Sequence, residues 1–255
     1  RELVSNAHDA DATEVHITLS DQQLIVQDNG VGMNEMGLHT YFTIGSQNKK
    51  EHPVSPKFKR SRIGEFGIGK FAVLAACKVF QLETQQGSFH ARLVFDKTHW
   101  QAQAEWQIAI EVLPYDPDFG TGTRITLIDL EHLFPLPRVR RYLRERMPLH
   151  IPNFAVSVNG ERVEEEMFYG RSQRFDVTTP FGQITGTLVL TNATWTADDA
   201  GIGIYVKNTL ITKESFGLEL TKRLGATRLR GKIHADFLPI TSNRDHIIRD
   251  TPEFL

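Results

Sequence analysis

The chain opens Arg1-Glu2-Leu3-Val4-Ser5-Asn6-Ala7-His8-Asp9-Ala10, and the spacing within this decapeptide steers the reading of everything after it. Leu3, Val4, Ala7 and Ala10 recur at helical spacing, which predicts an amphipathic helix over residues 1–11. Glu2, Asn6 and Asp9 are four and three residues apart, so they share the polar face beside that stripe. A carboxylate one turn from an amide suits a general base next to a metal ligand. The same pattern also describes a solvated helix face, so the helix alone decides nothing. Val15 to Leu19 then alternates like a half-buried strand, and Leu24-Ile25-Val26 gives a second one after a turn at Asp21-Gln22. That hairpin runs into Asp28-Asn29-Gly30-Val31-Gly32-Met33, and a short helix is expected from Glu35 to Phe42.

Asp28-x-Gly30-x-Gly32 places an acceptor at a strand end, where it can meet an exocyclic amine, and two glycines let a flat ring approach the backbone. An ordinary turn uses the same residue types. Gly45 to Arg62 has no periodicity and holds six cations against the single acid Glu51, which reads as a long polar lid. It leads to Gly64-Glu65-Phe66-Gly67-Ile68-Gly69-Lys70 and then to an apolar, helical stretch through Cys77. Glycines at a helix N-terminus expose N–H groups toward an anion, so this segment is a candidate phosphate cradle. It is not a P-loop, because Phe71 stands where the Mg²⁺-holding hydroxyl belongs. A dinucleotide fingerprint is excluded too, since a basic loop and not a buried strand precedes it. Gly122-Thr123 opens a further strand, where a hydroxyl can join Asp28 in reading a base edge.

Taken in order, E-x3-N-x2-D-A, D-x-G-x-G-M, G-x2-G-x-G and G-T resemble the Bergerat ATP-binding fold of the GHKL superfamily. The opening decapeptide looks most like the heat-shock-chaperone and microrchidia branches. The resemblance implies a two-layer α/β sandwich of the α+β class, a mixed sheet with helices on one face. It implies ATP and Mg²⁺ as cofactors. Glu2 would activate the attacking water, Asn6 would bind Mg²⁺, and Asp9 would support the motif or the ribose side. Asp28 would bond the adenine amine with Thr123 nearby, while Gly30, Gly32 and Met33 would line the adenine pocket. Gly64, Gly67, Ile68 and Gly69 would cap the phosphates. At Lys70 the chaperones carry an aromatic residue; a phosphate contact and a solvated lysine are both open there.

The distal half reads as strands at Ile184 to Thr191, Ile202 to Lys207 and Lys232 to Phe237, with a helix from Leu218 to Leu224. Glu164-Glu165-Glu166 marks the boundary between an ATP-binding domain, 1–165, and a second domain, 166–255. Phe237-Leu238-Pro239-Ile240-Thr241-Ser242-Asn243-Arg244-Asp245 is similar to the catalytic loop of the transducer domain in the same families. By that resemblance Arg244 reaches the γ-phosphate; a turn residue paired with Asp245 is the plainer alternative. Basic clusters at Arg138 to Arg144 and Lys222 to Lys232 either track nucleic-acid phosphates or are solvated faces.

Composition limits the classes. The chain has 255 residues, 40% hydrophobic, 24% charged, with net charge −2, so it is neither disordered nor uniformly basic. One cysteine excludes an internal disulfide and a cysteine zinc site, and is compatible with a cytoplasmic setting. No apolar run is long enough to span a membrane. The chain starts within a helical pattern and without Met, so it is expected to be part of a longer protein. The resulting expectation is a slow ATPase that binds ATP and ADP, forms an ATP-dependent homodimer, and acts on a client protein or DNA. The alternatives are a nucleotide sensor with negligible turnover and an ATP-gated DNA clamp.

Overall fold

The computed structural model describes residues 1–42, 53–63, 73–100, 109–195, 201–218, 226–241 and 246–254. The chain divides into two compact units, one of Arg1–Arg144 with Leu149–Glu164 and one of Glu145–Pro148 with Glu165–Leu255. Both are built on mixed sheets, and with few helices the molecule is α+β.

The first unit begins with helix α1 (Glu2–Asp9) and the hairpin β1 (Glu14–Leu19) and β2 (Gln23–Asp28), followed by α2 (Glu35–Phe42). Strands β3 (Cys77–Gln86), β4 (Phe89–Asp96), β5 (Ile110–Leu113) and β6 (Gly122–Leu130) precede helix α3 (Leu136–Arg146). Strands β7 (Ala155–Val158) and β8 (Glu161–Arg162) complete an eight-stranded sheet in the order β5-β4-β3-β6-β2-β1-β7-β8. The β7–β8 connection is an Asn-Gly turn, with Asn159 at φ 51° and Gly160 at φ 80°, the handedness a two-residue hairpin loop needs.

The register explains why one face is covered. Leu19, Leu24, Leu127, Phe80 and Phe95 lie side by side across five strands, and Ile17, Val26, Ile125, Leu82 and Leu93 form the next row. Most are buried, and Leu82 and Phe80 are almost fully so, each contributing about 1.5–3 kcal/mol by leaving water. Helix α1 lies against β2 and buries Leu3, Val4 and Ala7. The alternate residues make the opposite, polar row: His16, Gln27, Arg124, Glu83, Arg92 and Glu111. There Arg124 donates to Gln27 at 3.1 Å and Arg92 pairs with Glu111 at 2.8 Å. The period of two thus sends one residue set to the core and the other to solvent.

The second unit carries β9 (Gly170–Thr179), β10 (Gly182–Thr191), β11 (Gly201–Val206), β12 (Thr209–Glu214) and β13 (Leu229–His234). Their order is β12-β11-β13-β10-β9, with β11 and β13 parallel. Ile204, Val206, Ile211 and Ile247 form its core, with Leu238 and Ile240 packed against them. Strands β9 and β12 were not expected from the sequence. The helix expected at Leu218 to Leu224 falls almost wholly outside the described residues, and so does the start of the one expected before Cys77. Cys77 itself begins β3, so that helix ends earlier than the apolar pattern suggested.

Two basic clusters turn out to be partly consumed by the fold. Arg230 is buried, donates to both Glu166 carboxylate oxygens at 3.0 Å, and lies between the rings of Phe168 and Trp195. Lys232 pairs with Glu165, and Arg228 donates to the Thr191 carbonyl at 2.7 Å. In α3, Arg140 pairs with Glu161 and donates to the Val158 carbonyl. Arg230 is thus enclosed by the fold, while Lys232, Arg228 and Arg140 are partly exposed and already hold partners within the chain. No described helix is long and apolar enough to cross a membrane.

Candidate functional site

The apolar rows of the first sheet end in a polar one. Val15, Asp28, Thr123, Thr84 and Ala91 lie directly opposite one another across β1, β2, β6, β3 and β4. Val15 and Ala91 are fully buried, so three adjacent polar side chains interrupt an otherwise hydrophobic face. Such a row needs internal partners or a ligand.

Asp28 is half-buried and accepts the Gly30 N–H at 2.9 Å. Burial pushes its carboxyl up to about 6, against the opposing pull of the Gly30 and Thr123 backbone N–H groups. The Thr84 hydroxyl is fully buried and receives the Met33 N–H at 2.9 Å, with the Gly122 carbonyl at 3.0 Å and the Thr123 hydroxyl at 3.2 Å. The glycines are set by backbone contact. A Cβ on Gly122 would lie 2.0 Å from the Asp28 carbonyl oxygen, and one on Gly32, at φ +64°, would lie 2.1 Å from the Gln85 carbonyl oxygen. The buried Gln85 side chain holds the loop before β6 through Asp116 and Gly120.

Helix α1 is joined to this row at its C-terminal end. Val31 N–H donates to the Ala10 carbonyl at 2.8 Å, and Gly30 packs where a Cβ would lie 2.7 Å from the same oxygen. Asn29 accepts the Thr13 and Glu14 N–H groups, closing the turn between helix and strand. On the helix, Glu2 contacts Arg1 at 3.2 Å, and its charge, after burial, helps raise the Tyr41 hydroxyl above its ordinary range. Asn6 lies one turn further along, half-buried. Asp9 is buried, and its carboxylate accepts the Ile63 N–H at 2.8 Å. It therefore anchors the residue just before Gly64.

Three of the four motif segments thus meet, the first, second and fourth: the end of α1, the Asp28–Met33 turn and the start of β6. Gly64, Gly67, Ile68, Gly69 and Lys70 lie outside the described residues, as does Arg244. On either side of residues 242–245, Ile240 bridges Ile247, and Thr241 N–H donates to the His246 carbonyl at 3.0 Å.

Within the segment read as a long polar lid, Gly45 to Arg62, the described residues 53–62 are tied to the rest of the first unit. Asp11, at φ 60°, accepts the Ser55 hydroxyl at 2.5 Å, the Lys57 N–H at 2.6 Å and the Phe58 N–H at 3.1 Å. Burial pushes the Asp11 carboxyl up, but these three donors and the Arg60 charge together hold it below its usual range. Arg60 is buried and donates to the carbonyls of Ala12 at 2.7 Å and Asn153 at 2.8 Å, with its guanidinium over the Phe58 and Phe154 rings. Ser55 and Arg60 of this segment are spent on tertiary hydrogen bonds, while Lys57, Lys59 and Ser61 stay exposed. Sequence reasoning also missed Thr84, which looks like any strand threonine until the register sets it beside Thr123.

Comparison with known proteins bears on residues 1–121, which match the family model described as histidine kinase-, DNA gyrase B-, and HSP90-like ATPase. The chain is also 28% identical over 138 residues to a protein of Herpetosiphon aurantiacus named "Putative type II restriction enzyme HgiDII". That match covers 51% of this chain and 22% of the relative, so the chain spans about a fifth of the relative's length. The family match over residues 1–121 supports a GHKL-type ATPase domain in that segment, and with it ATP binding.

Proposed function

We propose that the first unit binds Mg·ATP with its adenine over the Asp28–Thr123 row, and that the protein hydrolyses it. The observation that carries this is the polar row at the end of an apolar sheet face, with a carboxyl shifted to about 6 by burial and backbone cleared by Gly32 and Gly122. An ionised Asp28 accepts an exocyclic N–H, and the missing Cβ atoms keep the turn and the first residue of β6 close together. Asn6 would hold Mg²⁺ through its amide oxygen, on the same helix as Glu2. Bound there, the ion would neutralise phosphate charge. Glu2 would take the proton of the attacking water, and Asp9 would fix the entry to the glycine loop through Ile63. Phosphoryl transfer of this kind needs positioning and charge neutralisation more than covalent chemistry. Arg244 would serve the γ-phosphate from the second unit.

Calorimetric titration with Mg·ATP tests the binding step. Saturable binding by the wild type that Asp28→Asn weakens by about 10²-fold is expected; equal binding by both would refute the placement. A steady-state phosphate-release assay separates an ATPase from a nucleotide sensor. A chaperone-like machine remains one reading of the whole protein. The name of the Herpetosiphon relative favours a second, in which ATP gates action on DNA. Retention on DNA that depends on a non-hydrolysable ATP analogue and survives raised salt would support that second reading.

A further inference from the structure

The Thr84 hydroxyl has three neighbours but only one proton, and this fixes the direction of each bond around it. Met33 N–H donates to Thr84 Oγ1 at 2.9 Å, using one lone pair. The Gly122 carbonyl, 3.0 Å away, can only accept, so the Thr84 proton goes there. The third neighbour is the Thr123 hydroxyl at 3.2 Å. With its proton committed, Thr84 can offer Thr123 only its second lone pair, so Thr123 donates. Thr123 stands between Thr84 and Asp28 in the sheet register. Its proton is therefore turned toward Thr84, and its lone pairs are left on the Asp28 side.

We infer that Thr84 is a specificity-determining positioning residue: it holds Thr123 as an acceptor, so that Thr123 and Asp28 form an acceptor pair selecting a purine with an exocyclic amine over one with a carbonyl at that place. The inference rests on the ATP-binding reading above. Adenine carries two N–H donors on its exocyclic nitrogen. Guanine carries an oxygen there, which would set lone pairs against lone pairs. Thr84 acts through Thr123, and through the Met33 N–H that ends the glycine turn. Its complete burial keeps water from competing for these bonds. Without the Thr84 hydroxyl, Thr123 loses its internal acceptor. Its proton can then swing toward the ligand and satisfy a carbonyl.

The test titrates wild type, Thr84→Val and Thr84→Ser with Mg·ATP and with Mg·GTP, after circular dichroism has verified folding. Wild type should prefer ATP. Thr84→Val should narrow that preference by about tenfold, the discrimination one oriented hydrogen bond supplies. Thr84→Ser keeps the hydroxyl and should restore it. If Thr84→Val does not fold, Thr84→Cys, whose thiol is a weak partner, takes its place with the same expectation. A merely structural role would weaken both nucleotides alike, so an unchanged ATP-to-GTP ratio in a folded variant overturns the assignment. Wild type that binds ATP and GTP equally overturns it as well. Wild type that binds neither nucleotide overturns the ATP-site reading itself, and this failure is visible before any variant is made.

Discussion

Replacing Asp28 with asparagine should move stability and binding in opposite directions. In the unliganded protein burial raises the Asp28 carboxyl from 3.8 to about 6. A raised carboxyl costs stability as pH rises from the unfolded value through the folded one, because the folded state holds the proton longer. Above pH 6 that cost is at most about 3 kcal/mol at 1.36 kcal/mol per unit, and partial exposure reduces it to about 1–2 kcal/mol. Asparagine carries no charge to desolvate, and its amide oxygen can still accept the Gly30 N–H at the 2.9 Å position. Asp28→Asn should therefore raise the melting temperature at pH 7.5 by a few degrees and change it little at pH 4. Binding should suffer. The amide would turn N–H groups toward the adenine amine, losing a charge-assisted bond and leaving a buried donor unpaired, for a loss of about 10²-fold or more. Thermal melts at the two pH values and calorimetry with Mg·ATP read both effects. A variant that is destabilised at pH 7.5, or that binds ATP within twofold of wild type, would refute the reasoning.

Glu2→Ala should keep Mg·ATP bound and slow single-turnover hydrolysis by about 10²–10⁴-fold. Asp11→Ala removes the acceptor for Ser55, Lys57 and Phe58 and should destabilise the fold by about 2–4 kcal/mol in denaturant titrations. Since the Asp11 carboxyl is held low, its contribution is full above its unfolded value near 3.8 and is lost as pH falls through the folded one. Hydrogen exchange should find the Ser55 and Arg62 amides protected even without nucleotide, because their N–H groups bond the Arg60 and Pro53 carbonyls. Arg244→Ala should leave ATP affinity near wild type and lower turnover, by up to about 10³-fold; equal loss of stability in Arg244→Ala and Asp245→Ala with unchanged turnover would remove Arg244 from the chemistry.

The helix–hairpin–helix opening was legible because hydrophobic period and turn chemistry agree there: α2 spans Glu35–Phe42, as its sequence pattern suggests. Asp28 and its glycines were legible as a motif, but their reason was not. The contacts that forbid a side chain at Gly32 and Gly122 come from Gln85 and Asp28, which only sheet pairing brings near. Thr84 was invisible for the same reason, since its meaning lies in a cross-strand register. The Val54–Ser61 bridge and the Asp11 and Arg60 bonds were hidden because a polar, aperiodic segment looks alike whether water or the fold satisfies it. Strand β9 is largely exposed on both faces, so it lacks the alternation that betrays a half-buried strand.

The central claim is that an ionised Asp28 receives the adenine of ATP. Titration of the wild-type protein with Mg·ATP at pH 7 and pH 5 tests it most directly. With a carboxyl near 6, the ionised fraction in the free protein falls about tenfold between those pH values, and affinity should fall with it. One saturable site is expected, with affinity dropping about tenfold at pH 5, and no such drop in Asp28→Asn beyond what the nucleotide's own ionisation produces. Absence of saturable binding at pH 7, or the same pH dependence in wild type and variant, would contradict it.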